Sequence, residues 1–328
     1  MNKNNPTKII FFGTSEFAEV ILDKLINVGA YRDTPLRIMA VVTQPDKPVG
    51  RKKIITPPLV KIFAEKNNLP VYQPENVGAY CNTPLQEADI FIVADYGEII
   101  SKKILDIPKY GALNVHPSLL PKYRGPSPIQ TALLNGDKET GVTIIKMDEK
   151  MDHGKAISNK QLASTIKRSQ PINKEDTYIT LSQKLARLGA DLLVEVLPDY
   201  ISGKIKPKEQ EHERATYTKM IEKKDGEIDW NKTAEEIYNQ WRAFIKWPGS
   251  HCVARYKIQN TKYKIKLNKI KVYKDNIKIK DTDLGEFFVE NKKLMVKCGG
   301  DTYLEILKLQ PEGKKEMDAE NFVNGYLK

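Results

Sequence analysis

The sequence predicts an α/β chain: a Rossmann-like, doubly wound and mainly parallel sheet, followed by a small antiparallel β-barrel. Three observations lead there. Short apolar runs alternate with helically periodic stretches through the N-terminal part, the mark of a parallel sheet covered on both faces. A polar, charge-dense stretch at 204–213 then interrupts the pattern, and short β-like runs separated by Asn, Asp and Gly follow it. At 328 residues the chain is also long for one core, so two domains are expected.

Residues 8–12 form an apolar run ending at Gly13-Thr14-Ser15. Residues 16–27 then carry Phe17, Val20, Ile21 and Leu25 at helical intervals, with Ser15 placed as a cap. Residues 36–42 complete a strand–helix–strand unit, and 90–93 and 112–115 add further strands. In such sheets ligands bind beyond the carboxyl ends of the strands, where Gly13, Tyr96-Gly97 and Asn114 to His116 all fall. Residues 140–147 read as another strand. A long helix is expected from Asp176 to about Tyr200, and core packing explains its stripe of Leu181, Leu185, Leu188 and Leu192. Ser202-Gly203 stops that helix, and the charge-dense stretch after it reads as a linker. Past the linker, 233–244 is expected to be a short helix, with strands at 262–267, 270–273, 285–289, 294–298 and 304–309. The expected boundaries are 7–204 for the first domain, 205–214 for the linker and 215–328 for the second.

Hydrophobic residues make up 40% of the chain and charged residues 29%, the balance of a soluble globular protein rather than a disordered one. No apolar stretch approaches the roughly 20 residues of a bilayer span. Met1 to Lys8 has no apolar core for an export signal, so a cytoplasmic location is expected. Cys81, Cys252 and Cys298 lack metal-ligand spacing, and an odd, sparse set suits a reducing compartment. The net charge of +11 points toward polyanions, yet a chain rich in Lys, Ile and Asn reaches it by composition alone. Where the charge lies therefore matters more than its sum.

The run Asn114-Val115-His116-Pro117-Ser118-Leu119-Leu120-Pro121, then Tyr123-Arg124-Gly125, places an amide, an imidazole and a hydroxyl where an apolar run ends. Polar groups are costly there unless a site uses them. An asparagine amide can donate to a developing oxyanion. An imidazole, titrating near ~6.5 when unperturbed, can donate to it or move a proton. A carboxylate is still needed to orient the imidazole or relay the proton. Asp152, just before His153-Gly154 in the loop after 140–147, is the candidate. Taken singly, each of these is more often a turn or capping residue than a catalyst. Their ordered combination is what points to a site.

That run, followed by Gly141-Val142-Thr143, Met147 and Met151-Asp152-His153-Gly154 in the same order, resembles the folate-dependent formyltransferases. The resemblance implies the formyltransferase fold over 7–204 and an OB-like barrel over 215–328. It implies that Asn114, His116 and Asp152 form the catalytic set. It also implies that Ser118, Leu119, Leu120 and Pro121 line the folate pocket, with Tyr96 and Gly97 in the loop that cups the pterin ring. N10-formyltetrahydrofolate would be consumed as co-substrate and no metal is needed; His153, His212 and His251 form no ligand-spaced cluster. The sequence departs from the family at Asp95, which intrudes into Val-Ala-Tyr-Gly, and at Glu98, which replaces an apolar residue. It departs again at Lys155, whose charge is expected to bear on Asp152.

The family signature is shared by enzymes acting on glycinamide ribonucleotide, on nucleotide-linked amino sugars and on aminoacylated initiator tRNA, and by a hydrolase that releases formate. Two segments discriminate. Residues 43–53, Thr-Gln-Pro-Asp-Lys-Pro-Val-Gly-Arg-Lys-Lys, combine turn residues with a basic tail suited to clamping phosphates. They resemble the TQPDxPxGRxK loop of members that formylate methionyl initiator tRNA. That implies substrate contacts for Arg51, Lys52 and Lys53, with Gly13 and Thr14 on the nearby rim. Residues 251–280 hold Arg255, Lys257, Lys262, Lys264, Lys266, Lys269, Lys271, Lys274, Lys278 and Lys280 against the single acid Asp275. Alternation along a strand would put these charges on one face, either a phosphate-tracking platform or a solvated outer surface. Asp229-Trp230, Arg242-Ala243-Phe244, Trp247-Pro248-Gly249 and residues 309–317 resemble the tRNA-gripping C-terminal domain of the same members. The expectation is formyl transfer to methionyl initiator tRNA for translation initiation, by a monomer. A sugar or ribonucleotide formyltransferase, or an RNA-binding module on an inactive scaffold, is the alternative.

Overall fold

The computed structural model describes residues 6–28, 35–50, 52–74, 84–158, 167–255, 262–274 and 282–327. Two compact units emerge. One comprises 1–128, 139–171 and 181–219; the other comprises 129–138, 172–180 and 220–328.

The first elements are β1 (Thr7–Gly13), α1 (Glu16–Val28), β2 (Leu36–Val42), β3 (Lys47–Val49), β4 (Ile54–Thr56), α2 (Leu59–Lys66) and β5 (Val71–Tyr72). After them come β6 (Ile90–Ala94), α3 (Lys102–Leu105), β7 (Ala112–His116), α4 (Pro128–Leu134), β8 (Glu139–Lys146), β9 (Lys155–Ser158), β10 (Lys167–Pro171), α5 (Tyr178–Ile201) and β11 (Lys206–Lys208). The sheet runs β11-β9-β8-β7-β6-β1-β2-β5, with β10 also paired to β8. The five strands from β5 to β7 are parallel, and β8, β9, β10 and β11 extend the sheet antiparallel. Ile9, Ile10, Phe11 and Phe12 of β1 have no exposed surface. Such a continuous apolar strand is what a two-sided parallel sheet requires. The chain moves outward from β1 through β2 to β5, then returns to β6 on the other side of β1. The strand order therefore reverses between β1 and β6, where a ligand crevice is expected. Thr14 Oγ1 donates to the Tyr96 carbonyl at 2.8 Å across that point.

The expected strands and helices of this part all appear. The stretch read from composition as a linker is built into the first unit. Lys206–Lys208 pairs with β9, and Gln210 is only 8% exposed. An edge strand shows its lysines to water, so its composition resembles that of a tether. The loop at 43–53 includes β3, which forms a short hairpin with β4 just beyond it, and Val49, Ile54 and Ile55 of that hairpin are exposed.

The second unit contains α6 (Ala234–Phe244), β12 (Ser250–Arg255), β13 (Lys262–Tyr273), β14 (Phe287–Glu290), β15 (Lys293–Cys298), β16 (Thr302–Pro311), β17 (Met317–Asp318) and α7 (Ala319–Phe322). Its described pairings form an antiparallel sheet in the order β12-β13-β16-β15-β14, with β17 beside β16. The helix α6 opens on a reciprocal cap. Glu236 N donates to Thr233 Oγ1 at 3.3 Å and Thr233 N donates to Glu236 Oε2 at 2.8 Å. Ile237 and Trp241 pack from α6 onto Ile265, Leu267 and Leu309. The runs expected at 262–267 and 270–273 are one strand with an irregularity between them. Asn268 has no partner in the register, since Leu267 pairs with Leu309 and Lys269 with Lys308, and the next pair is Ile270 with Ile306. That bulge keeps the faces consistent: Lys264, Lys266, Lys269 and Lys271 are exposed, whereas Ile265, Leu267 and Ile270 are buried. Burial pushes the Cys252 and Cys298 thiols up to about 12, so neither is a ready nucleophile.

Candidate active site

Asn114 and His116 lie two residues apart on β7, so both project to one side of the strand. β8 pairs antiparallel with β7, setting Asn114 opposite Ile145 and His116 opposite Thr143. The loop leaving β8 then doubles back into β9. Gly154 allows this return, because a Cβ there would lie 2.0 Å from the Lys146 carbonyl oxygen. Asp152, held at φ +49°, is thereby brought over the end of β7.

Its carboxylate meets three groups. Oδ1 lies 3.4 Å from His116 Nδ1 and accepts from Asn114 Nδ2 at 3.3 Å, while Oδ2 accepts from the Gly125 backbone N–H at 2.7 Å. The His116 side chain is 4% exposed and that of Asp152 12%. On its other side, His116 Nε2 lies 2.9 Å from the Tyr123 carbonyl, which can only accept, so Nε2 carries a hydrogen. Nδ1 is then the nitrogen that faces Asp152 Oδ1. Little water reaches the pair, so their electrostatic coupling is stronger than in solvent. Gly125, at φ +108°, allows the close approach, since a Cβ would meet Thr218 Oγ1 at 2.8 Å.

The 118–124 turn is hydrogen-bonded within itself and to its neighbours. Ser118 Oγ donates to the Lys122 carbonyl at 2.6 Å, and Thr143 Oγ1 donates to the Ser118 carbonyl at 2.7 Å. Leu120 N donates to Thr143 Oγ1, and Tyr123 N to Thr216 Oγ1. Ser118 and Leu120 are buried, whereas Leu119 and Pro121 are half-buried. Tyr96 is buried with its ring edge-on to Phe12 at 5.5 Å, and Gly97 is exposed at φ +81°. A cavity of about 350 Å³ opens beside the Asp152 loop, lined by Lys102, Leu105, Asp106, Met147, Asp148, Glu149, Lys150 and His153. None of residues 118–121, Tyr96 or Gly97 is among its walls.

Asp95 and Glu98 are exposed. Lys155 pairs with Glu209 Oε1 at 2.7 Å, and the lysine's hydrogen bond holds the Glu209 carboxyl below its ordinary value. The charge expected to bear on Asp152 thus has its own partner. Arg51 lies outside the described residues, while Lys52 and Lys53 are exposed between β3 and β4. Of the C-terminal basic residues, Lys264, Lys266, Lys269, Lys271 and Lys274 are exposed. Arg255 and Lys262 occupy facing positions on β12 and β13, and Lys257, Lys278, Lys280 and Asp275 fall outside the described residues.

Sequence reasoning passed over Thr216 and Gln210. Gln210 donates through Nε2 to the carbonyls of Asp152 and Gly154 at 2.9 and 2.7 Å. An amide inside a charge-dense stretch carries no periodic signal, and only its lack of charge set it apart. Among the described residues, no group of three or more His, Cys, Asp or Glu is arranged to hold a metal. None of their helices is long and apolar enough to cross a membrane.

Comparison with known proteins adds to this geometry. Residues 7–197 match the formyl transferase family, and residues 220–327 match the formyl transferase C-terminal domain. A methionyl-tRNA formyltransferase of Enterococcus faecalis is 41% identical over 326 residues, covering 97% of this chain and 96% of the relative. One from Caldicellulosiruptor saccharolyticus is 41% identical over 324 residues, with the same coverage of each chain. Among solved structures, an N-formyltransferase from Helicobacter canadensis in complex with folinic acid and dTDP-3-aminofucose superposes with a TM-score of 0.63. It is 22% identical and covers 93% of this chain and 99% of its own, a likeness of fold alone.

Proposed function

The chain belongs to the formyl transferase family, and from that premise we propose that it transfers a formyl group from N10-formyltetrahydrofolate to the α-amino group of methionyl initiator tRNA, for translation initiation. The observation that carries the mechanism is the approach of Asp152 Oδ1 to both His116 Nδ1 and Asn114 Nδ2, at 3.4 and 3.3 Å. Asn114 has a second amide hydrogen to offer the formyl oxygen as it gains charge during attack. His116, coupled to Asp152, takes the proton released by the attacking amine and returns it to the departing folate nitrogen. One C–N bond forms as the other breaks, and the proton count is unchanged.

The cavity beside the Asp152 loop is within the size range of ligand sites. Its lining shares no residue with the folate set implied by the family resemblance, so the pterin ring is assigned to the Tyr96-Gly97 loop and not to this cavity. Leu119, Pro121 and Gly97 are the accessible members of the folate set implied by the family resemblance. Ser118, Leu120 and Tyr96 would act from beneath, by fixing the shape of the turn and loop. On the RNA side, Arg51, Lys52 and Lys53 would take the acceptor arm, with Gly13 and Thr14 near the reacting end. The exposed lysines of β13 would follow phosphates. Residues 7–204 would then carry the chemistry, with 205–214 joined to them through β11 and Gln210, and 215–328 would hold the tRNA, in a monomer acting in the cytoplasm.

The test is formation of formylmethionyl-tRNA by the purified chain supplied with N10-formyltetrahydrofolate and charged initiator tRNA. Turnover is expected. Formylation of an amino-sugar nucleotide, with none on the tRNA, would overturn the reading.

A further inference from the structure

Asp152 sits at φ +49°, a left-handed conformation that residues with a side chain seldom adopt. One side chain holds it there. The two amide hydrogens of Gln210 reach the Asp152 carbonyl at 2.9 Å and the Gly154 carbonyl at 2.7 Å, bracketing the residue from behind. Gln210 is in turn locked through its Oε1, which accepts from Arg124 Nε at 3.3 Å and Nη2 at 2.8 Å. Arg124 is 1% exposed, and its further partners are His212 Nδ1 at 2.8 Å and the Tyr217 hydroxyl at 3.3 Å. A buried guanidinium bonded to neutral acceptors is a costly way to tie down a surface strand. Its neighbour Gly125 donates to Asp152 Oδ2, so residues 124 and 125 grip Asp152 at both ends, one directly and one through Gln210.

We propose that Gln210, locked by Arg124, is a positioning residue that aims the Asp152 carboxylate at His116. The proposal rests on the catalytic role assigned to Asp152 above. The experiment compares the full chain with Gln210→Leu, Gln210→Glu, Asp152→Asn and the Asp152→Asn/Gln210→Leu double variant, measuring kcat, both KM values and the kcat–pH profile. Gln210→Leu and Gln210→Glu are expected to lower kcat tenfold or more, leave each KM within twofold and displace a limb of the pH profile. In the Asp152→Asn background, Gln210→Leu should cost less than a further twofold, because the two residues act as one unit. A folded Gln210→Glu enzyme with unchanged kcat and pH profile would overturn the proposal, as would full multiplicative losses in the double variant. Should Gln210→Leu fail to fold, Gln210→Glu decides alone, since it keeps volume and the acceptor for Arg124 while removing the donors. Full activity in Asp152→Asn would remove the catalytic assignment and this proposal with it. An inactive Asp152→Asn beside a fully active Gln210→Glu would remove only the positioning role.

Discussion

The Asp152 pocket and the outer face of β13 solve opposite problems with polar groups. In the pocket, one carboxylate is held by an imidazole, an amide and a backbone N–H, and each atom has a single place to be. On β13, Lys264, Lys266, Lys269 and Lys271 stand exposed along one face. Chemistry on a single carbon depends on sub-ångström placement, whereas attraction to a phosphate chain sums over many loosely placed charges. Damage should therefore be concentrated in the first region and spread thinly in the second.

That contrast can be broken most sharply at the pocket. His116→Ala is expected to lower kcat about a thousandfold while leaving tRNA affinity unchanged, as read by steady-state turnover beside filter binding. A tenfold loss or less would mean that the imidazole does not move the proton. Asn114→Ala, which deletes the proposed oxyanion donor but leaves the His116–Asp152 pair, should cost about a hundredfold in kcat. The β13 face should respond differently. Each of Lys264→Ala, Lys266→Ala, Lys269→Ala and Lys271→Ala is expected to weaken tRNA binding only a few-fold and lower the log–log salt slope by about 1, with kcat at saturation retained. A salt slope unmoved by all four together would leave this face as solvated surface. Smallest of all, Thr233→Ala should remove the cap of α6 and lower stability by about 1 kcal/mol without altering turnover, which thermal melting would record.

The two regions were also unequally legible in the sequence. Asn114 and His116 share a side of β7 because a strand alternates, and the apolar run around them announced the strand. Asp152 was legible through the glycine after His153, which a tight return requires. The lysine face followed from the same alternation up to Lys266, whereas the bulge that carries it on to Lys269 and Lys271 did not. What the sequence hid were partners without a pattern. Gln210 and Thr216 reach the site from a polar stretch that composition assigns to solvent. Arg124 was visible only as part of a motif, because charged side chains are almost never fully buried and nothing local marked this one as an exception. The direction of β8 was equally silent, since a buried strand reads the same whichever way it runs.

Asn268 gives β13 a property of a different kind. Were Asn268 paired in regular alternation instead of bulging out, every side chain from 269 onward would change sides, driving two ammonium groups into the oily interior and stranding Ile270 in water. Most positions on a surface strand tolerate almost any replacement but not their own removal; this one, standing outside the alternation, is the exception. The strand is thus constrained by counting as well as by chemistry: a residue added to or lost from a paired position of β13 would swap the faces beyond it, whereas loss of Asn268 would leave Leu267, Lys269 and Ile270 alternating.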